Sequence, residues 1–404
     1  MITFLLSLSL PHVPANLTCD QAFFLFKIAY GKQYNITEQE TLAFSTFCAR
    51  YEDLKKQLKK NCKTCSVTSV FDIPDSELLN PRMRFPTFKV KRGQGVNCNY
   101  MYCYAENPLK KLDVIPPSAD HRELGLATRA RNQGGCGSCW AFASAAGLET
   151  LVLHNKSNNP VAWQLSPSGL DVSVQFLLSN LKGFNDYCSG GDATVALWQL
   201  ANEQKTIEKT SNVPYAPNYM NKGPITPKLP ESDYFQPFQQ FPIVDDTNQT
   251  TPIIGLYLDE SKSFDADTIA EMKSFIARGF PVYASMYTRV GSAAFSSYNG
   301  QGILYATCNK FNADHQVIFT GYGTKNGKPV WIVKNSWGEN WGNFGYFYIE
   351  IGKNAFCLEQ YAFGLIPAGY NLESTEEFEN LSGENAFPGL ERGRNGLDWD
   401  GQKQ

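Results

Sequence analysis

Cys139 opens a run suited to starting a helix: Trp140 to Thr150 contains Ala141, Ala143, Ala145, Ala146, Leu148 and Glu149, good helix formers with small faces. A thiol at the positive end of such a helix is favoured as thiolate, the nucleophilic form. Ahead of it, Gly134, Gly135 and Gly137 allow a tight approach loop. Taken alone, Cys139 also fits a small buried thiol in a core helix. A nucleophile needs a base, and the chain has four histidines. His12 lies in an apolar leader, and His121 and His154 have no supporting motif around them. His315 begins a short β run through Phe319 that ends in the turn signal Thr320-Gly321-Tyr322-Gly323, a rigid place for a base. Farther on, Val330 to Val333 reads as a strand leading into Lys334-Asn335-Ser336-Trp337-Gly338. Asn335 is placed to accept a hydrogen bond from one ring nitrogen of His315, leaving the other for the thiol, and Trp337 to shield that bond from water. Alone, Asn335 is a strand-end turn residue and Trp337 a core aromatic. Together with Cys139 and His315 they point to covalent nucleophilic catalysis.

The segment Asn132-Gln133-Gly134-Gly135-Cys136-Gly137-Ser138-Cys139-Trp140 contains Cys-Gly-Ser-Cys-Trp, and with His315 and Asn335 it resembles the papain family of cysteine peptidases. The resemblance covers about residues 115 to 366 and holds at five separate motifs. It implies that Cys139 is the nucleophile, His315 the base, Asn335 the orienting amide and Gln133 an oxyanion-hole donor beside the Cys139 N–H. Tyr187-Cys188-Ser189-Gly190-Gly191 looks like the family's segment that pairs with extended substrate, and Ile115 to Arg122 like the start of the mature enzyme, with His121 where Trp is usual. By resemblance the disulfides are Cys136–Cys188 and Cys308–Cys357, and the fold is α+β with two lobes, one helical and one β-barrel-like. The pocket for the second side chain before the cut is lined by Asp192, Ala193, Ser285, Ala313, Gln316 and Ala362, with Asp314 and the Gly190–Gly191 pair also facing substrate. Four of those pocket residues are small, which favours an apolar side chain there. Gln316 replaces a usually small residue; its amide either narrows the pocket, offers hydrogen bonds, or rotates toward solvent. No cofactor or metal is implied.

Composition agrees with a large packed core: 43% of residues are apolar and 13% aromatic. The net charge is −3, without a basic tract for nucleic acid, and no apolar run reaches 18 residues, so no membrane span is expected. Residues 2–10 form a short apolar leader, with Val13-Pro14-Ala15 as a small-residue cleavage site; residues 1–15 read as a signal peptide, or else as a short buried strand. Of 11 cysteines, six precede residue 115 and five follow it; setting Cys139 aside leaves even numbers on both sides, as expected in the secretory pathway, in a lysosome-like vacuole or outside the cell. Cys62-x-x-Cys65 also has the spacing of a metal half-site, but no second ligand pair follows. Acceptor tripeptides for glycosylation start at Asn16, Asn35, Asn155, Asn248 and Asn380.

Residues 16–114 read as a separate unit. Thr37-x-x-Glu40 has the form of a capping box, followed by Phe44, Phe47, Tyr51, Leu54 and Leu58 on one helix face. Such a helix ahead of a peptidase suggests an inhibitory prosegment, with processing expected between Lys110 and Pro116. The peptidase part is expected over 115–367. His315 lies 176 residues after Cys139, which requires an insertion at about 217–259, where Pro224, Pro227, Pro230, Pro237, Pro242 and Pro252 suggest a surface loop. Residues 368–404, with eight acidic and three basic side chains, read as a disordered tail. The expected protein is a monomeric zymogen whose partners are polypeptide substrates and its own prosegment. An endopeptidase is expected; a catalytically silent peptide-binding relative and a prosegment-restricted exopeptidase are the alternatives.

Overall fold

A computed structural model describes residues 13–79, 97–99, 102–106, 111–154, 170–181, 185–202, 207–216, 253–257, 266–308, 312–359 and 361–365. The leader, the proline-rich part of the insertion, the tail and the acceptors Asn155, Asn248 and Asn380 lie outside them.

The N-terminal unit is two packed helices, α1 (Cys19–Tyr30) and α2 (Thr37–Lys59), followed by a short α3 (Asp75–Leu78). Thr18 caps α1: its hydroxyl accepts from the Gln21 N–H, and the Gln21 side chain accepts from the Thr18 N–H. Gly31, at φ 60, takes the left-handed conformation that ends the helix. The capping box expected at Thr37 does not form. Ile36 is the N-cap, without a side-chain bond, and Thr37 already lies inside the helix. Both Thr18 and Thr37 carry the spacing, but only Thr18 stands just outside a helix, where its hydroxyl meets an orphan N–H. The expected apolar face is there: Phe47, Tyr51 and Leu54 are buried, while Phe44 and Leu58 are half-buried and Ala43 takes the inner position. With Phe23, Phe26 and Phe71 they make an aromatic core of this unit's own. Disulfides Cys19–Cys48 and Cys62–Cys65 hold it, so the Cys62-x-x-Cys65 spacing serves a bridge. Val13 is buried in this core and the Tyr51 hydroxyl donates to the Pro14 carbonyl, so the segment expected as a cleavage site is packed.

The rest is α+β. Its helical lobe is built on α4 (Cys139–His154), buried from Cys139 to Leu153, with α5 (Val174–Asn180) and α6 (Ala193–Asn202) against it. An all-apolar face is not needed, because α4 satisfies its one buried acid: Glu149 accepts from Thr128, Arg131 and the Val172 N–H.

The other lobe is a sheet of nine strands among the described residues: β1 (Asn97–Asn99), β2 (Tyr102–Glu106), β3 (Ala119–Asp120), β4 (Ile253–Tyr257), β5 (Val282–Met286), β6 (His315–Lys325), β7 (Lys328–Lys334), β8 (Tyr346–Glu350) and β9 (Tyr361–Gly364). They run in the order β1-β2-β4-β9-β5-β6-β7-β8, with β3 on β6, and the sheet does not close into a barrel among the described residues. α7 (Ala266–Ala277) and α8 (Ser292–Ser296) cover it. Two strands come from unexpected places. β4 belongs to the stretch expected as a surface loop, yet pairs with β9 and, in parallel, with β2. β2 and its hairpin partner β1 come from the cysteine-rich segment before residue 115 and place residues 98 and 103 opposite each other. Five residues with a paired strand on each side suffice for a strand, too short a signal to stand out among six prolines.

Candidate active site

Cys139 is the first residue of α4 and is wholly buried, as is His315, the first residue of β6. The two thus come from different lobes, each at the end of an element whose other residues lie in a core. A third element completes the group. The chain leaves β7 at Lys334, and Asn335 Oδ1 meets His315 Nε2 at 2.7 Å. The same Oδ1 accepts from the Ser336 N–H at 2.8 Å, which fixes the amide orientation. An oxygen only accepts, so Nε2 carries the proton and Nδ1 is the basic nitrogen. Nδ1 has no hydrogen-bond partner among the described residues. Trp337, buried, packs its ring 5.4 Å from the imidazole, and Phe295 packs on both.

Gln133 is held against the same loop. Residues 131–133 run beside 336–338: Gln133 N–H donates to Ser336 O at 2.8 Å, Gly338 N–H to Arg131 O at 3.0 Å, and Ser336 Oγ to Gln133 Oε1 at 2.6 Å. The side-chain oxygen is thereby occupied and the Nε2 protons point toward the nucleophile's loop. One goes to the Cys136 carbonyl at 2.8 Å, the other to the Leu78 carbonyl of α3 at 2.9 Å. Tyr215 closes the loop from behind, donating to Gln133 O at 2.7 Å with its hydroxyl 2.9 Å from Ser138 Oγ. Cys136–Cys188 ties the loop to the turn at Tyr187–Ser189, and Gly137 sits so close to the Cys188 carbonyl that a Cβ would come within 2.5 Å of it. Cys308–Cys357 braces the sheet lobe.

The electrostatics differ from the thiolate expected of an exposed site. Burial pushes the Cys139 thiol up to about 12, against the pull of the Gln316 and Trp140 N–H groups. Burial likewise pushes His315 down to about 4, the Asn335 bond opposing it. In this state burial opposes charge on both the thiol and the imidazole. The cover is the N-terminal unit: Leu78 and Leu79 are buried in the sheet-lobe core, and the Glu77 carboxylate lies against Gly135. Nothing in the sequence marked these residues, because α3 has only four residues and no period to read.

The expected substrate-side residues fall into two groups. Asp192, Ala193, Ser285 and Gln316 come together, all buried. Gln316 corrects the expectation of a rotating amide: Oε1 accepts from the Ala193 N–H at 2.8 Å, and Nε2 donates to Asp192 Oδ2 at 3.0 Å and Ser285 Oγ at 3.2 Å. With three buried partners, turning to solvent would strand each of them. Asp192 Oδ1 also accepts from the Thr194 N–H at 2.7 Å. Ala362 pairs with Ala284 one strand over, and Ala313 is buried next to Asp314. Asp314 is different: its carboxylate accepts from the Thr288 N–H and hydroxyl and the Arg289 N–H, so its side chain serves a turn. Gly190, at φ 120, accepts from the Asp186 N–H through its carbonyl, and Gly191 packs on the Trp140 ring, where a Cβ would come within 2.9 Å. Among the described residues, no group of acidic, histidine and cysteine side chains could hold a metal.

The profile of the papain family of cysteine proteases matches residues 115–364. Cysteine proteinase B of Leishmania mexicana is 26% identical over 342 residues, 83% of this chain and 66% of that protein. Mouse cathepsin K is 30% identical over 244 residues, 60% of this chain and 62% of its own length. The chain thus spans somewhat under two thirds of these relatives. Among solved structures, the digestive procathepsin L2 of Tenebrio molitor larval midgut aligns over 87% of this chain and 100% of its own, with a TM-score of 0.60 at 23% identity. A recombinant stem bromelain precursor aligns over 87% and 99%, with a TM-score of 0.59 at 20% identity. Both show the same fold. With a thiol at a helix start, an imidazole at a strand start and an amide just past a strand end, and a profile that matches more than half its length, this chain belongs to the papain family of cysteine proteases.

Proposed function

We propose that the protein is a thiol endopeptidase made as a latent zymogen. The observation that carries this is the 2.7 Å bond from His315 Nε2 to Asn335 Oδ1, which leaves Nδ1 as the imidazole's only acceptor, beside a nucleophile's helix. On activation the Cys139 sulfur transfers its proton to His315 Nδ1 and attacks the scissile carbonyl. The negative charge that forms on the carbonyl oxygen is held by the Cys139 N–H and Gln133 Nε2, which Ser336 has already oriented. His315 returns the proton to the leaving amine, and water, deprotonated by the same nitrogen, hydrolyses the thioester. Asn335 keeps the ring in the tautomer that both steps need.

The N-terminal unit is the prosegment. Leu78 occupies the Gln133 donor with its carbonyl, and Leu79 lies over the nucleophile's loop. Within the expected processing segment, Leu112 is buried and Val114 is 82% exposed, which supports a cut beside Val114. For the second residue before the cut, the Gln316 amide is fully bonded and offers nothing to a polar side chain, while the methyls of Ala193, Ala313 and Ala362 favour an apolar one. Disulfides and a leader fit synthesis through the secretory pathway, and no helix among the described residues is long and apolar enough to cross a membrane.

The test is labelling with a peptidyl thiol electrophile before and after processing, followed by a positional peptide library. Labelling of Cys139 in the processed form only, with cleavage after apolar residues at that subsite, is expected. Cleavage that survives complete alkylation of Cys139, or a dominant Arg, Lys or Asp preference, would refute the assignment.

A further inference from the structure

Gln316 joins the two lobes at the catalytic pair. Strand alternation turns it away from His315, and its carboxamide bonds Ala193 N–H and Asp192 at the start of α6 as well as Ser285 on the neighbouring strand β5. Every partner is buried, so water does not compete for these bonds. The helix it reaches, α6, packs in one core with α4, the helix that begins at Cys139. One residue therefore ties the strand that starts with the base to the helical lobe through its side chain.

Resting on the peptidase reading above, we propose that Gln316 is a positioning residue: its carboxamide rivets the strand bearing His315 to the start of α6, which packs on α4, and so holds the imidazole in register with Cys139. The pair must stay aligned although its members start elements of different lobes, and lobes can slide where only apolar contacts join them. Three directional bonds remove that freedom. The chemistry at the cleft is also specific to a carboxamide, which must accept from an N–H and donate to a carboxylate at once. Leucine or methionine does neither. Glutamate accepts but faces Asp192 with a second negative charge; Asp314, the other acid near the sulfur, is already engaged by residues 288–289.

The test uses the full chain carried through the same maturation, with wild type and Cys139→Ala alongside. Loss of cleavage in Cys139→Ala secures the peptidase reading independently. Gln316→Ala and Gln316→Met are expected to lower kcat by roughly 10- to 100-fold with little change in KM, the size of a small misalignment. Alkylation of Cys139 by iodoacetamide should then show less thiolate at mildly acidic pH. Gln316→Glu should approach wild-type kcat at the acidic end, where it shares a proton with Asp192, and lose activity as pH rises. Wild-type kcat and alkylation profile in both Gln316→Ala and Gln316→Met would overturn the proposal. So would a loss in Gln316→Ala that Gln316→Met restores, since volume rather than hydrogen bonding would then be the cause. A Gln316→Glu profile parallel to wild type would overturn it too.

Discussion

The N-terminal unit and the papain-like part are both well packed inside and differ in how they meet. The former has a single aromatic core closed by two disulfides. The latter has two larger cores that share β5 and β6 through Tyr283 and Ile318. Between the units, besides the pairing of β2 with β4, runs a line of polar bonds: Ser66 N–H to Ser297 O at 2.8 Å, Asn299 N–H to Thr64 O at 3.0 Å, and Thr68 Oγ1 to Ser296 O at 2.6 Å. Beside it a cavity of about 440 Å³ remains, lined by Tyr30, Lys32 and Ser69 on one side and Arg129, Tyr215 and Trp337 on the other. Val70, Leu78, Leu79 and Leu112 sink into the other unit's core. A joint of this kind fits a cover that stays folded, blocks the site and can still be removed.

The largest expected effect separates chemistry from packing. Cys139→Ala should lower turnover by at least about a thousandfold while leaving the unfolding midpoint unchanged, since a small residue fits the helix start. His315→Ala should be nearly as severe and Asn335→Ala milder, because the amide only orients the base. Kinetics and thermal melts on the three variants check this ranking.

Weakening the cover alone is the next test. Phe47→Ala opens the N-terminal core and should cost that unit about 3–5 kcal/mol. The unprocessed chain should then gain measurable peptidase activity, while the processed enzyme, which lacks the residue, is unaffected. Equal latency in variant and wild type would mean that the cover does not depend on its own core.

Acid should loosen the papain-like part through two buried imidazoles away from the site. His121 Nε2 bonds Ile276 O at 2.9 Å and His154 Nε2 bonds Arg278 O at 2.8 Å, both at the end of α7, and burial lowers each pKa to about 4. In the unfolded chain both return to about 6.5, so the stabilisation is complete above that pH and is lost as pH falls toward 4. Up to about 3 kcal/mol per imidazole is at stake. Denaturant melts from pH 7 to pH 4 should lose stability in step, and His154→Phe should flatten the curve.

The smallest effect concerns the two disulfides of the cover. Cys62–Cys65 spans a separation of 3 and Cys19–Cys48 one of 29. Loop closure makes the short bridge worth about 2 kcal/mol and the long one about 3–4. Replacing each pair by alanine, with melts of the full chain, should give that order. The reverse order would point to the docking turn at residues 64–66 as the main contribution of the short bridge.

The sequence alone singled out Cys139, His315 and Asn335, because each lies in a local pattern: glycines before a helix, a β run, a strand ending in Asn-Ser-Trp; the structure joins the last two by a hydrogen bond. It also gave the inner face of α2, since a three- and four-residue period survives without knowledge of partners. It misplaced the helix start at Thr37 and missed the strand in 253–257. Both depend on what lies next to the segment: an orphan N–H in one case, β9 and β2 in the other. Tertiary structure alone decided that Leu78 meets Gln133, that burial raises the thiol and lowers the imidazole, and that Gln316 is bonded on three sides. Those facts rest on desolvation and on bonds between residues 31 to 124 positions apart, and neither is written in any one stretch of chain.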